Sequence, residues 1–307
     1  MSERPFRFGV MARATSVPQM LATAKRAEEM GYTTFQMADH FTSEMAPLVS
    51  LAAIATNTSR IRVGTLVLDN DFRHPAVLAK EVATLDAISG GRLELGIGAG
   101  WVPADYEQSG IPFEKPGVRL DRMVEGIQII RGFTSQDKTT FAGNHYQVTE
   151  LAGRPASMQR PVPIMIGGSG PRLLRIAGQH ADIVNISSRN GKPRFKGFDP
   201  NDVEGTSYPL RIQRLREASG DRYVEVAGIV WHVGVGTDRQ KAIEEVAART
   251  DSPVEKVTDG PGYLAGTVES IADQMEWQRA EFGFTYYTVT EPDMEQFAPV
   301  VARLSGK

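Results

Sequence analysis

The sequence predicts an α/β fold, a single (β/α)8 TIM barrel spanning residues 1–307. Three observations predict it. Short apolar runs alternate with longer amphipathic runs along nearly the whole chain, the pattern of parallel strands joined by returning helices. The alternating units number eight, which favours closure into a barrel over the rival, an open doubly wound sheet. A length of 307 residues with 41% hydrophobic content is enough to fill one large core.

Taken in order, strand one is expected over 6–11 and its helix over 17–30, where Met20, Leu21, Ala24 and Ala27 share a face and Gly31 stands past the end. Strand two covers 34–37 and helix two 46–55. Strand three runs from Ile61 to Leu68. Pro75 starts the next helix, 76–85, in which Val77, Leu78, Val82 and Leu85 recur at three-to-four spacing. Ser89-Gly90-Gly91-Arg92 turns the chain into strand four, 93–97, and a helix over 119–132 completes that unit. The remaining strands are expected over 163–166, 182–186, 224–235 and 286–289, and their helices over 171–178, 208–218, 268–282 and 293–304. Segments at about 102–117, 136–161, 187–207 and 237–266 exceed ordinary connections. Strand-to-helix loops lie at the C-terminal mouth of a barrel, so these are expected as mouth insertions that shape a site. Within the second, 139–148 reads as a hairpin turning at Gly143-Asn144.

Composition narrows the function. The net charge of -3 offers no basic surplus for nucleic acid, and no apolar run approaches the ~20 residues that span a bilayer. Zero cysteines exclude disulfides, thiolate nucleophiles and cysteine-ligated metals. The five histidines stand singly without metal-ligand spacing, so no metal is expected. Met1-Ser2-Glu3-Arg4-Pro5 leads into no apolar signal core, which makes the cytoplasm the expected location.

Residues at strand ends carry the candidate chemistry. Asp39 and His40 leave strand two together, and histidine is the side chain whose ordinary pKa suits proton transfer near neutrality. Gly98, Ala99, Gly100 and Trp101 leave strand four, where bare glycine backbone lets a ligand come close, although glycines there also relieve crowding. Gly167-Gly168-Ser169 passes from strand five into a helix whose free N–H groups suit a phosphate, the alternative being a tight turn with Ser169 as helix cap. Asn70, just past strand three, is a candidate for a ring's polar edge or a loop cap. Asp105, Tyr106 and Glu107 stand near the Gly98 turn as acids or as caps. His232 reads as a core or wall residue, and His145 as exposed.

Gly64-Thr65-Leu66-Val67, Arg73-His74-Pro75, Leu85-Asp86, Ser89-Gly90-Gly91-Arg92-Leu93 and the Gly98 turn together resemble the bacterial-luciferase-like family of flavin and deazaflavin enzymes. The likeness is to its F420-dependent oxidoreductase branch and extends over nearly the whole chain. It implies that His40 faces the deazaflavin's reactive carbon as proton donor or acceptor, and that Asp39 fixes the cofactor. It also implies a non-proline cis peptide at Leu66-Val67 behind the ring, a phosphate cradle at Gly167, Gly168 and Ser169, and a second wall at Gly98, Ala99, Gly100 and Trp101. Sugar-phosphate dehydrogenases of this branch carry a glutamate where Trp101 stands. An indole can wall a pocket but cannot act as an acid or base, so a sugar phosphate is not implied.

The activity expected is hydride transfer between coenzyme F420 and a small organic substrate, in a homodimer. One alternative is an FMN-dependent monooxygenase of the same family, with a flavin reductase as partner. Another is a flavin- or deazaflavin-binding protein without turnover. The basic stretch 188–196 is read as a seat for the acidic tail of F420 or an anionic substrate group, against the alternative of a solvated loop.

Overall fold

A computed structural model describes residues 4–13, 15–41, 45–186, 208–251, 254, 257 and 262–307. The chain begins with β1 (Arg7–Ala12), α1 (Val17–Glu29), β2 (Thr34–Met37), α2 (Pro47–Asn57), β3 (Arg62–Thr65) and β4 (Leu68–Asp69). A 3-10 turn (Asn70–Phe72), α3 (Pro75–Ser89), β5 (Leu93–Gly98), α4 (Pro103–Ser109) and α5 (Pro116–Ser135) follow. Next come β6 (Lys138–Ala142), β7 (Gln147–Ala152), β8 (Ile164–Gly167), α6 (Pro171–His180) and β9 (Ile183–Asn185). The last part holds α7 (Tyr208–Ser219), β10 (Glu225–Val230), β11 (His232–Val235), α8 (Arg239–Thr250), β12 (Tyr263–Gly266), α9 (Val268–Phe282), β13 (Phe284–Thr290) and α10 (Met294–Leu304).

Strands β1, β2, β3, β5, β8, β9, β10 and β13 pair in parallel in that order, and β13 returns to β1. The expected eight-stranded barrel is present, closed on itself. All residues of β2, β5 and β10 are buried, because one face meets the interior and the other meets helices. Helix α1 presents Met20, Ala24 and Ala27 to the sheet, as its spacing predicts. Among the described residues no helix is long and apolar enough to cross a membrane.

The two ends of the barrel differ in chemistry. At the N-terminal end Arg7 pairs with Glu94 and, at 2.7 Å, with Glu225, while Arg62 meets Glu94 at 2.6 Å. The buried Tyr286 hydroxyl lies 3.3 Å from Glu94, and the Arg7 guanidinium lies over the Tyr286 ring. The Ser89-Gly90-Gly91-Arg92 turn belongs to this end too. Gly90 and Gly91 take φ of 67° and 82°, left-handed values that glycine adopts without strain, and Arg92 donates to the Ala55 and Ile61 carbonyls at 2.7 and 2.6 Å. Its guanidinium thus closes the end of α2 and joins it to the start of β3.

Three expectations about connections change. Strand seven, expected as one run over 224–235, is two strands: β10 lies in the barrel, whereas β11 pairs in parallel with β12 in a small separate sheet. The 237–266 insertion supplies α8 and β12 of that unit, which has its own apolar cluster of Ile243, Val246, Ala247, Val257, Tyr263 and Ala265. The 136–161 segment, expected at the mouth, follows a helix and precedes a strand, so both its ends lie at the opposite face. Its hairpin is real, β6 against β7, and the Glu125 carboxylate of α5 accepts the N–H groups of Asn144, His145 and Tyr146 at the tip. Within 102–117, where an insertion without a helix is expected, stands α4. The 187–207 segment, with the basic stretch 188–196, lies outside the described residues.

Candidate active site

At the mouth, strand three is interrupted at Leu66-Val67, where the expected non-proline cis peptide is present, and the chain resumes as β4 against β5. Room for this bulge comes from glycines. A Cβ on Gly98 would lie 2.9 Å from the Val67 side chain, one on Gly167 3.0 Å from it, and one on Gly96 1.9 Å from the Thr65 carbonyl oxygen. The crowding role of Gly96 and Gly98 is therefore real, and Gly167 on the far strand shares it. Below them Leu66 joins Met11, Met165, Ile183, Ala227, Ile229 and Tyr286 in an apolar floor, with Val67 and Trp231 packed on it.

His40 stands above this floor. Its Nδ1 is 2.7 Å from Asp105 Oδ2 of α4, and the other oxygen of Asp105 accepts the Phe41 N–H at 3.1 Å. The Trp101 ring meets the imidazole edge-on, at 5.9 Å and 85°. Trp101 is 42% exposed, and Phe41, 56% exposed, sets its ring against Phe72 at 4.7 Å. Asp39, next to it, is committed to Arg73: its oxygens take the guanidinium at 2.6 and 3.2 Å, and one also accepts the Asp69 N–H at 3.2 Å.

Behind the Gly98–Trp101 wall lies an acidic network. The buried Asp69 accepts the Tyr106 hydroxyl at 2.7 Å and the Asp71 N–H at 2.9 Å, and Asp71 pairs with Arg122 at 2.9 Å. Gly100, at φ 73°, has no space for a side chain, since a Cβ would meet the Tyr106 hydroxyl and Asp69 Oδ2. Its carbonyl accepts from Arg119 at 3.1 Å. Burial, opposed by the Asp71 N–H and Tyr106 bonds, pushes the Asp69 carboxyl up to about 6, with Asp71 and Asp39 adding like charge.

The folded state thus keeps a proton on Asp69 that the unfolded chain releases near its ordinary value of about 3.9, so this group makes stability fall as pH rises from about 4 to about 6. Replacing it with asparagine is expected to remove that fall. Urea unfolding at pH 4.5 and at pH 7 should show Asp69→Asn gaining on the native protein by about 2 kcal/mol between the two. An unchanged difference would mean that the carboxyl titrates normally.

Residues 4–195 match the sequence family described as luciferase-like monooxygenase. The chain belongs to that family. Its relatives include the F420-dependent glucose-6-phosphate dehydrogenase of Nakamurella multipartita, 31% identical over 258 residues, which cover 80% of this chain and 72% of the relative. Among solved structures, the coenzyme F420-dependent tetrahydromethanopterin reductase of Methanopyrus kandleri superposes with a TM-score of 0.75 at 21% identity, covering 98% of both chains. Monooxygenase RslO1 of Streptomyces bottropensis does so with a TM-score of 0.76 at 19% identity, over 97% of this chain and 99% of the other. Likeness at that identity shows the fold.

Within this luciferase-like barrel, the structure brings together His40, Leu66, Val67, Gly98, Gly100, Trp101 and Gly167, all at strand ends of one mouth. Ala99 follows Gly98 in the same wall. Gly168, at φ 139°, donates its N–H to the Asn185 carbonyl at 3.0 Å, and Gly170 rather than Ser169 is the cap of α6. Asn70 is buried, with Nδ2 3.5 Å from the Tyr146 hydroxyl and Oδ1 near α5, where a Cβ on Gly126 would lie 2.5 Å from it, contacts that decide neither the ring-edge nor the cap reading. His232 sits on β11 outside the barrel, tilted against Tyr263 at 5.2 Å, which agrees with a wall role. His145 is exposed at the hairpin tip. Sequence reasoning missed Asp69 and the Arg73–Asp39 pair. Arg73 had one signal, its place beside His74-Pro75.

Proposed function

We propose that this protein is an F420-dependent oxidoreductase that moves a hydride between coenzyme F420 and a small organic substrate, with His40 giving or taking the accompanying proton. The observation that carries the reading is the fixed imidazole of His40, 24% exposed, standing over an apolar floor that ends in the Leu66-Val67 bulge. The name of the Nakamurella relative supports the choice of cofactor.

The residues fit such a group. The Leu66-Val67 bulge and the floor beneath it suit the back of a flat, largely apolar tricycle. Gly98, Ala99, Gly100 and Trp101 would wall one side, and the Gly167, Gly168 and Ser169 turn would take the phosphate through groups other than the Gly168 N–H, which the Asn185 carbonyl holds, with Asp39 acting through Arg73. Bound there, F420 supplies a carbon that accepts or donates a hydride. The chain's share is positional. With Nδ1 on Asp105, Nε2 of His40 is the ring nitrogen left to take a proton from a substrate hydroxyl or return it to a carbonyl. Trp101, against the imidazole, shields that point from water and favours a substrate with an apolar group beside the reacting carbon.

A second reading, FMN-dependent monooxygenation, is favoured by the likeness to RslO1. Fluorescence titration with F420 and with FMN, each at two salt concentrations, separates the two. Micromolar or tighter F420 binding with much weaker FMN binding, followed by turnover of reduced F420 with ketones or enones, is the expected result. Preference for FMN with oxygen uptake would replace the first reading with the second.

A further inference from the structure

We infer that Asp105 is the positioning residue for His40: its buried carboxylate holds Nδ1–H and thereby leaves Nε2 as the nitrogen for exchange at the mouth. The inference rests on the F420 reading for the reaction it serves, but the contact itself is present without any cofactor.

Several observations point the same way. Asp105 lies in the first turn of α4, where an acidic side chain ordinarily caps the helix or answers its dipole. Here α4 has no side-chain cap, and both Asp105 oxygens are directed at β2's exit instead, one on His40 Nδ1 and one on the N–H of Phe41. A carboxylate bonded to two successive residues fixes the imidazole and the backbone that carries it. Asp105 is 2% exposed, so its charge is screened little by water, and a carboxylate can only accept, which assigns the proton to Nδ1. Trp101, edge-on from β5, bounds the ring on another side. The nearby acid, Asp39, has its charge matched by Arg73, and Asp69 is engaged by Tyr106 behind the wall, which leaves Asp105 as the carboxylate bonded to His40.

This arrangement has a direct consequence for proton transfer. When Nε2 takes a proton from a substrate hydroxyl, the ring becomes a cation bonded through Nδ1–H to a carboxylate, and when Nε2 returns it, Nδ1 keeps its own proton. One nitrogen is thus reserved for exchange with substrate and the other for orientation. Both Asp105 oxygens are taken up by His40 and the Phe41 N–H, so its part in the reaction is played through His40.

The test has two arms. In cofactor-free protein labelled with ¹⁵N at imidazole, with the His40 signals assigned by their loss in His40→Gln, the native protein is expected to show a protonated Nδ1 and a bare Nε2. Asp105→Ala should shift His40 towards the Nε2–H form that a free imidazole prefers. An unchanged tautomer in that variant overturns the proposal whether or not F420 is the cofactor. In the loaded enzyme, Asp105→Asn, which keeps an acceptor for the Phe41 N–H, should lose about 100-fold in kcat, within the usual span for a mispositioned general base. KM and F420 affinity should stay within about threefold of native, and Asp105→Glu should recover part of the loss. Added to His40→Gln, the same substitution should cost no more than about twofold, because its effect passes through the missing ring. An equal loss in both backgrounds would make Asp105 a merely structural residue. Failure of F420 to bind, with the tautomer result intact, would instead count against the cofactor reading.

Discussion

Replacing His40 by alanine is expected to lower kcat by about 10²- to 10⁴-fold, the usual share of a positioned acid–base group. The size follows from the surroundings. Among the described residues, the apolar floor below and the Trp101 ring beside the imidazole offer no other group able to exchange a proton at that point. Asp105 lies behind the ring and Asp39 is closed by Arg73, so neither carboxylate can step in. Cofactor affinity should stay near native, because the walls that would hold the ring and phosphate come from β4, β5 and β8. Steady-state and single-turnover rates, with binding followed by fluorescence, check both halves. Turnover within about fivefold of native would remove His40 from the chemistry. Partial recovery by added imidazole would further support its role.

Gly96→Ala is expected to be the most destabilising conservative change in the mouth. Gly96 and Thr65 are locked face to face: the Thr65 hydroxyl donates to the Gly96 carbonyl at 2.7 Å and lies 2.8 Å from the Gly96 N–H, which donates to it. A methyl group would stand 1.9 Å from the Thr65 carbonyl oxygen. No side-chain rotation relieves a clash with backbone, so β3 and β5 must separate, at a cost of about 3 kcal/mol or more. Gly90→Ala is the control. It places a methyl in open space and leaves only the cost of a left-handed φ, about 1–2 kcal/mol. Urea midpoints of the two variants should differ accordingly. Equal losses would mean that backbone conformation, and not the approach of the two strands, explains both. Gly96→Ala should also weaken cofactor binding, since Val67 packs over the same place.

The barrel was legible because its signal is local: apolar runs bounded by Pro75, Gly31 or Gly90 recur in order, and the closing strand and helix end within a few residues of their expected limits. Strand seven misled because residues 224–235 are apolar or glycine except for Glu225 and His232, and the chain leaves the barrel at Trp231 without a turn residue to mark it. The site was legible only in part. His40 and the cis peptide came from a family resemblance, while the pairings that orient the site join residues 65, 34 and 37 positions apart, His40 with Asp105, Asp39 with Arg73 and Asp69 with Tyr106. No periodicity records such contacts. The Ser89-Gly90-Gly91-Arg92 motif, which helped to carry the resemblance, lies at the opposite end of the barrel and ties α2 to β3 there. A motif can identify a family through its scaffold.

The charged layer beneath that scaffold bears on how the barrel is assembled. Arg7, Arg62, Glu94, Glu225 and Tyr286 are contributed by β1, β3, β5, β10 and β13, strands from both halves of the sequence. No hairpin or half-barrel can complete the set. A sheet that closed one residue out of step would turn these side chains to the wrong face and leave charges buried without partners, at several kcal/mol each. The apolar residues around them would accept such a slip far more readily. The layer therefore acts as a closure check, rewarding only the alignment in which the first and last strands meet correctly, which is also the alignment that places His40 opposite the Gly167 turn at the other end.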